Sequence, residues 1–318
     1  MGVRRLVPIG MFLVIAAAMI VSGASAALAQ VAKGQKIPAP EDVTLETTDG
    51  VGIRATWFAG LLKKESVPII MVHGFGGQRG EYEGFAKQLQ ASGHSVIVPD
   101  LRGHGQSKTQ KLPNDKTRTL DADTLRPADM EDMLRDLEAC KRFLMDKNNA
   151  GECNIEKLCV VGAEFGSILA LRWAAADWSV RDLPAYKQGR DVKALVLLSP
   201  LQAQKGLSIK EALSVPAVLS QLSIMIVAGK EDSKGTAEAK RLFNSFQAHH
   251  PKPPTDQDKQ AKEQDLFLVQ PNTKVAGTKL LTPALPVLKE IETKIVKGRL
   301  ADKKSEFLWT ERKNPIEN

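Results

Sequence analysis

From residue 43 to residue 300, short apolar runs alternate with longer amphipathic stretches. The runs at 67–72, 95–98, 158–161, 194–198, 223–227 and 266–269 are rich in Val, Ile and Leu and show no apolar-polar alternation. That pattern predicts strands buried on both faces, as in a parallel sheet. Segments 43–48 and 52–58 flank Asp49-Gly50, a dipeptide suited to a tight turn, and predict a leading hairpin. Helices are predicted at 81–91, from 127 to about 147, from the turn at 162–166 through 176, at 237–247, and from 283 to about 300. In the second of these Met130, Met133, Leu134, Leu137 and Leu144 recur at helical spacing, and Pro127 suits a first-turn position. Strands separated by helices predict one α/β domain of about eight strands and about six helices. The connection 200–222 is too short for a large cap domain. Segments 108–126 and 249–264 read as polar loops, the first placed to cover a pocket. The end of the chain reads as a charged, frayed tail.

A different pattern precedes the domain. Arg4 and Arg5 lead into an apolar run at 6–21, and small residues follow through Ala29. This is the arrangement of a secretory signal. Ala24-Ser25-Ala26 and Ala27-Leu28-Ala29 are both suitable cleavage sites. The expected division is a signal at 1–29, an α/β domain at 30–300 and a tail at 301–318, in a protein exported to the periplasm or the medium. The alternative is an uncleaved membrane anchor, since 6–21 is only slightly short of the roughly 17–25 residues of a span.

Composition narrows the function classes. Hydrophobic residues make 43% and charged residues 25% of the chain, which excludes wholesale disorder. The net charge of +7 is not gathered into a basic block, which argues against a nucleic-acid partner. Three cysteines are too few for a disulfide scaffold. Export would allow Cys140 and Cys153 to pair across a helix end, leaving Cys159 as a buried thiol in an apolar strand. No two histidines stand at metal-ligand spacing, and His249 and His250 are adjacent. The glycine-rich stretch at 74–80 lacks the Gly-Lys-Ser/Thr ending of a phosphate loop. No metal and no cofactor is expected.

Three motifs fall at the carboxyl ends of predicted strands, where open α/β sheets place their sites. They are His73-Gly74-Phe75-Gly76-Gly77, the segment from Asp100 through His104 to Ser107, and Gly162-Ala163-Glu164-Phe165-Gly166. In this order, on these elements, they resemble the α/β-hydrolase family, in particular its monoglyceride-lipase and serine-aminopeptidase-like members, over about residues 43–300. The resemblance implies an α/β-hydrolase fold, with a mostly parallel eight-stranded sheet and helices on both faces. It places the strained strand-to-helix turn called the nucleophile elbow at Glu164. It assigns oxyanion-hole donors to the backbone N–H groups of Phe75 and Phe165, and pocket loops to His73, Gly74, Asp100 and His104. The triad acid matches Asp232, with Glu231 as second choice, and the triad base belongs in 271–278.

Two departures follow. Glu164 stands where this branch carries Ser; relatives that open epoxides or displace halide carry Asp there, and Glu is one methylene longer. Segment 271–278 contains no His, and none occurs after His250. His94, His249 and His250 belong to the far edge of the sheet, whereas His73 and His104 shape loops in the family. Lys274 is the nearest cation in sequence to the missing base. Ser167 belongs to the next helical turn and reads as a small packing residue. The positive end of the helix after Glu164 favours an ionised carboxylate, which is expected to fill the oxyanion hole.

Without the hydroxyl and its base, the Ser-His-Asp mechanism is not expected. The leading expectation is an exported binding or partner protein that keeps a pocket for a small ligand. The alternative is an ester- or amide-type hydrolase using Glu164, Asp232 and His104 in altered roles. A third reading sets the positive charge against an anionic envelope component.

Overall fold

The computed structural model describes residues 36–181, 183 and 187–312, so the signal segment 1–29 lies outside the described residues. Eight strands form the central sheet: β1 (Glu41–Glu46), β2 (Gly52–Phe58), β3 (Pro68–Val72), β4 (Ser95–Pro99), β5 (Leu158–Ala163), β6 (Val192–Leu198), β7 (Ser223–Val227) and β8 (Leu266–Val269). Their spatial order is β1-β2-β4-β3-β5-β6-β7-β8. The pairs β1·β2 and β2·β4 are antiparallel and the rest are parallel. All eight strands expected from the apolar runs are present.

The runs are apolar at every position because each strand feeds two cores. Successive strand residues point to opposite faces. Ile70 and Val72 of β3, Val160 of β5 and Ile224 and Ile226 of β7 join one cluster. Ile69, Met71, Cys159, Val161, Met225 and Val227 join the other. Truncating one of these, such as Ile70→Ala, removes a fully buried side chain and costs about 2–5 kcal/mol.

The main helices are α1 (Glu83–Ala91), α2 (Leu134–Asn149), α3 (Phe165–Ser179), α4 (Ser233–Gln247) and α5 (Val287–Glu290), which runs on as a π-helix over Ile291–Ala301. None among the described residues is long and apolar enough to cross a membrane.

Five expectations need correction. The helix expected from 127 to about 147 is split into Pro127–Glu131 and α2. The break lets Asp136 accept hydrogen bonds from Arg102 N and Nε, each at 2.9 Å, in a buried pair. Loop 108–126 carries a small hairpin, Thr109–Lys111 with Thr117–Thr119, which bridges to Val51 and so packs on the β1–β2 turn instead of covering a pocket. The polar segment before β8 contains a helix, Gln257–Glu263. Cys140, Cys153 and Cys159 are all free and buried; Cys140 packs into the core while Cys153 Sγ donates to Leu144 O at 3.6 Å.

The tail is the fifth. Through Arg312 it is strapped down rather than frayed. Asn154 Nδ2 donates to Phe307 O, Asn148 Nδ2 to Thr310 O and Asn149 Nδ2 to Arg312 O. Arg312 is buried and forks onto both carboxylate oxygens of Asp191, at 2.5 and 3.2 Å. Pairing with Lys141 and Lys187 as well, Asp191 is pushed up by burial but held down on balance to about 2 by these cations.

Candidate functional site

The carboxyl ends of β3, β5, β6 and β8 converge on one residue, Glu164. It joins β5 to α3 with φ +50° and ψ −112°, a conformation that non-glycine residues rarely adopt. The flanking glycines show why the turn closes. A Cβ on Gly162 would stand 2.4 Å from Gly166 O, and one on Gly166 would stand 2.3 Å from Val72 O. Glu164 N donates to Leu198 O, which ties the elbow to β6. Ser167 is buried and spends its hydroxyl on Gly162 O at 2.8 Å, as a packing residue would.

Three loops surround the Glu164 side chain. The first leaves β3, where a Cβ on Gly74 would lie 2.8 Å from Glu164 Oε2. The second leaves β8: a Cβ on Gly277 would lie 3.0 Å from Glu164 Cδ and 3.1 Å from Oε2. Gly277 has φ +59° and donates its N–H to Ser199 Oγ at 3.0 Å. The third leaves β6, where Ser199 has φ +47° and Lys205 places Nζ 4.3 Å from the Phe75 ring centroid. Glu81, in the 3₁₀ turn before α1, accepts from Gln78 N and from Thr278 Oγ1 at 2.7 Å, joining the β3 and β8 sides. The β3 and β8 loops, with the elbow, wall an open cleft of about 820 Å³, lined by Gly74, Phe75, Glu81, Glu164, Lys274 and Lys279 among others.

Glu164 is half-buried, and its carboxylate accepts no hydrogen bond among the described residues. Burial raises its pKa, and Glu81 and Asp232 add to the rise while Lys279 opposes it. Burial and the two like charges thus act on Glu164 in the opposite direction to the helix terminus. The carboxylate also takes no hydrogen bond from the amides of Phe75 or Phe165; it lies instead between Gly74 and Gly277. Lys279, rather than Lys274, is the cation that bears on it.

The remaining expected site residues divide. Asp232 caps α4, accepting from Gly235 N at 3.0 Å, and stays close enough to act on Glu164. Glu231 is exposed. His73 accepts from Leu101 N at Nε2 and lies 2.7 Å from Gly74 O at Nδ1. Both nitrogens are used, and burial pushes its pKa down to about 4, so it is a neutral brace between the β3 and β4 loops. Asp100 accepts from Arg79 N, Arg79 Nη1 and Gln106 N, a buried knot in the β4 loop. His104, also lowered by burial, donates from Nδ1 to Arg102 O and stands edge-on to Phe75 at 5.0 Å. Phe75 in turn meets Phe165 edge-on at 5.6 Å. Of the four residues expected on pocket loops, only Gly74 is on the cleft wall; His73, Asp100 and His104 hold the loops from behind.

A family profile described as alpha/beta hydrolase fold matches residues 67–284. The chain belongs to that family. Solved alpha/beta hydrolases superpose over most of it. The dienelactone hydrolase of Anabaena variabilis covers 83% of this chain with 100% of its own, at TM-score 0.55 and 14% identity. An esterase of Pyrococcus furiosus covers 82% with 93% of its own, at TM-score 0.55 and 15% identity. An esterase of Pyrobaculum calidifontis covers 90% with 91% of its own, at TM-score 0.53 and 16% identity. At these identities the likeness shows the fold. No curated protein sequence matches the chain.

Within this alpha/beta hydrolase, Glu81 and Lys279 at the cleft, and Ser199 and Lys205 behind its loops, were not among the residues expected from the sequence, while Gly277 and Thr278 belong to the segment 271–278 expected to hold the base. Ser199 carried a signal as the polar residue ending an apolar strand before Pro200, and Gly277 and Thr278 carried one through the family resemblance. The others sit on loops whose approach to Glu164 is set by the sheet order. Among the described residues no cluster of three or more His, Cys, Asp or Glu could hold a metal ion.

Proposed function

We propose that this alpha/beta hydrolase family member is an exported protein that binds a small molecule in its cleft and does not run Ser-type acyl transfer. The observation that carries the reading is the pair Glu164 and Gly277. Acyl transfer at an elbow needs a nucleophile with a base within hydrogen-bond reach. Here the elbow side chain is a carboxylate without a partner among the described residues, and the β8 loop meets it with a glycine whose added Cβ would stand only 3.0 Å from Glu164 Cδ. The nearby acid, Asp232, is engaged in capping α4 and has no imidazole to orient. What remains is a cleft of about 820 Å³, within the range of small-molecule sites at about 300–1,000 Å³, with Lys274 and Lys279 free of any carboxylate within 4.0 Å among the described residues.

The test is hydrolysis of a short-chain aryl ester by the protein, run beside Glu164→Ala. Equal, near-background rates are expected, and turnover that needs Glu164 would overturn the reading in favour of a Glu-dependent hydrolase. Binding is read separately, as thermal shifts across a small-molecule panel. Cleft ligands should lose their shift in Lys279→Glu. A panel in which every shift survives both Glu164→Ala and Lys279→Glu would remove the binding reading.

A further inference from the structure

A second cavity, of about 430 Å³, lies at the opposite edge of the sheet from Glu164. Lys193, the second residue of β6, Ser223, the first of β7, and Asp265, just before β8, all line it, so it opens at the amino ends of the parallel strands. The strapped tail closes one side through Phe307, and Pro251, Pro253 and Pro254 form another apolar wall.

Charge in this cavity is unbalanced. Lys193, Lys252, Lys262, Arg299 and Lys303 line it, against Glu263, Asp265 and Glu306. Two of the three carboxylates are engaged: Glu306 pairs with Lys303 at 2.5 Å, and Asp265 lies 2.8 Å from His250 Nδ1. Lys193, Lys252 and Lys262 have no carboxylate within 4.0 Å among the described residues. Lys193 donates to Arg190 O and stands 5.1 Å from the Trp178 ring centroid and 5.8 Å from that of Phe307. Its charged neighbours are Lys187 and Asp191 before β6, Glu156 before β5, Asp177 on α3, and Arg299, Lys303 and Glu306 from the last helix and the tail. Burial, then Lys187, push its amine down to about 8, and the three acids only partly offset them. Lys193 is half-buried; an ammonium partly withdrawn from water among other cations is disfavoured, and an anion beside it would relieve that cost.

We propose that this cavity is a second binding site, for a small phosphate ester whose dianion sits among Lys193, Lys252 and Lys262 and whose organic part rests on Phe307 and the prolines. Lysines serve as point charges for phosphate. The apolar walls give an organic group contact area that inorganic phosphate could not use. The site is independent of the cleft at Glu164.

Phenyl phosphate is the probe and phenol its neutral control. The readout is the rate of reductive dimethylation of Lys193 near pH 8, followed residue by residue by mass spectrometry on the full chain. Dimethylation needs the free amine. A bound dianion that raises the Lys193 pKa by one unit cuts the free-amine rate about tenfold well below that pKa, and somewhat less near it. The expected result is slowing of several-fold at Lys193 with phenyl phosphate, none with phenol, and none at the exposed Lys87. No slowing by phenyl phosphate, or equal slowing by phenol, overturns the proposal. Because a change at the half-buried Lys193 would remove the reporter itself, the second arm uses the exposed Lys262→Glu. It should abolish the protection; protection that persists undiminished in it also overturns the proposal.

Discussion

Replacing Gly277 by Ala tests whether the loop after β8 and the elbow are matched in size. Two costs are read from the structure. The backbone at 277 has φ +59°, and placing a Cβ there costs about 1 kcal/mol. The new methyl would also stand 3.0 Å from Glu164 Cδ, 3.1 Å from Oε2 and 3.3 Å from Cγ. Glu164 cannot retreat with its backbone, because the glycines at 162 and 166 fix the elbow against Val72 and Gly166. Its side chain or the loop must give by a few tenths of an ångström, which is overpacking at about 1–3 kcal/mol. Gly277→Ala should therefore cost about 2–4 kcal/mol in the wild type. In a Glu164→Ala background only the backbone part remains, about 1 kcal/mol. The assay is urea unfolding of the four proteins of the double-mutant cycle, at equal slope with denaturant. A coupling of about 1–3 kcal/mol is expected, and additivity within about 0.5 kcal/mol would refute the claim that Gly277 makes room for Glu164. The result bears on chemistry as well. If it holds, any side chain at 277 requires a shorter residue at 164, so the glycine in the loop after β8 and the long elbow residue are matched.

Four further outcomes are expected. Glu164→Gly should be about 1 kcal/mol more stable than Glu164→Ala in urea, because φ +50° is strained for any residue with a Cβ. All three thiols should be inert to a disulfide reagent in the native protein and react only on unfolding, since burial pushes Cys153 and Cys159 to about 12 and Cys140 higher still. Arg312→Ala should lower stability by about 2–3 kcal/mol, the low end for breaking a buried pair, since Lys141 and Lys187 still hold Asp191. Asp191 is held down to about 2 in the folded protein. Its contribution is therefore present above the ordinary carboxylate value of about 3.9 and lost as pH falls from there towards 2. Asp191→Asn should flatten the acid unfolding curve in that window, and a curve unchanged by it would remove this account.

The sequence by itself determined the sheet. Apolar runs such as 67–72 and 158–161 can be satisfied only by burial on both faces, so strand identity is a local property and all eight strands were legible. The elbow was legible for the same reason: Gly162 and Gly166 leave Glu164 little choice of conformation. Capping was legible at Asp232 only as a loop acid, because its use by Gly235 depends on how α4 begins. What only the tertiary structure decided are contacts between residues remote in sequence. Thr278 reaches Glu81 across 197 positions, and Arg312 reaches Asp191 across 121. Nothing in the charged run after 300 distinguishes a strap from a solvated tail until Asp191 is placed beneath it. Likewise the resemblance brings 271–278 towards the elbow, but which of its residues abuts Glu164 is set by the order of β5, β6, β7 and β8 in the sheet. Burial then sets the chemistry. The desolvation of Glu164 and the Glu81 charge that raise its pKa exist only once folding has brought the β3 and β8 loops to the elbow.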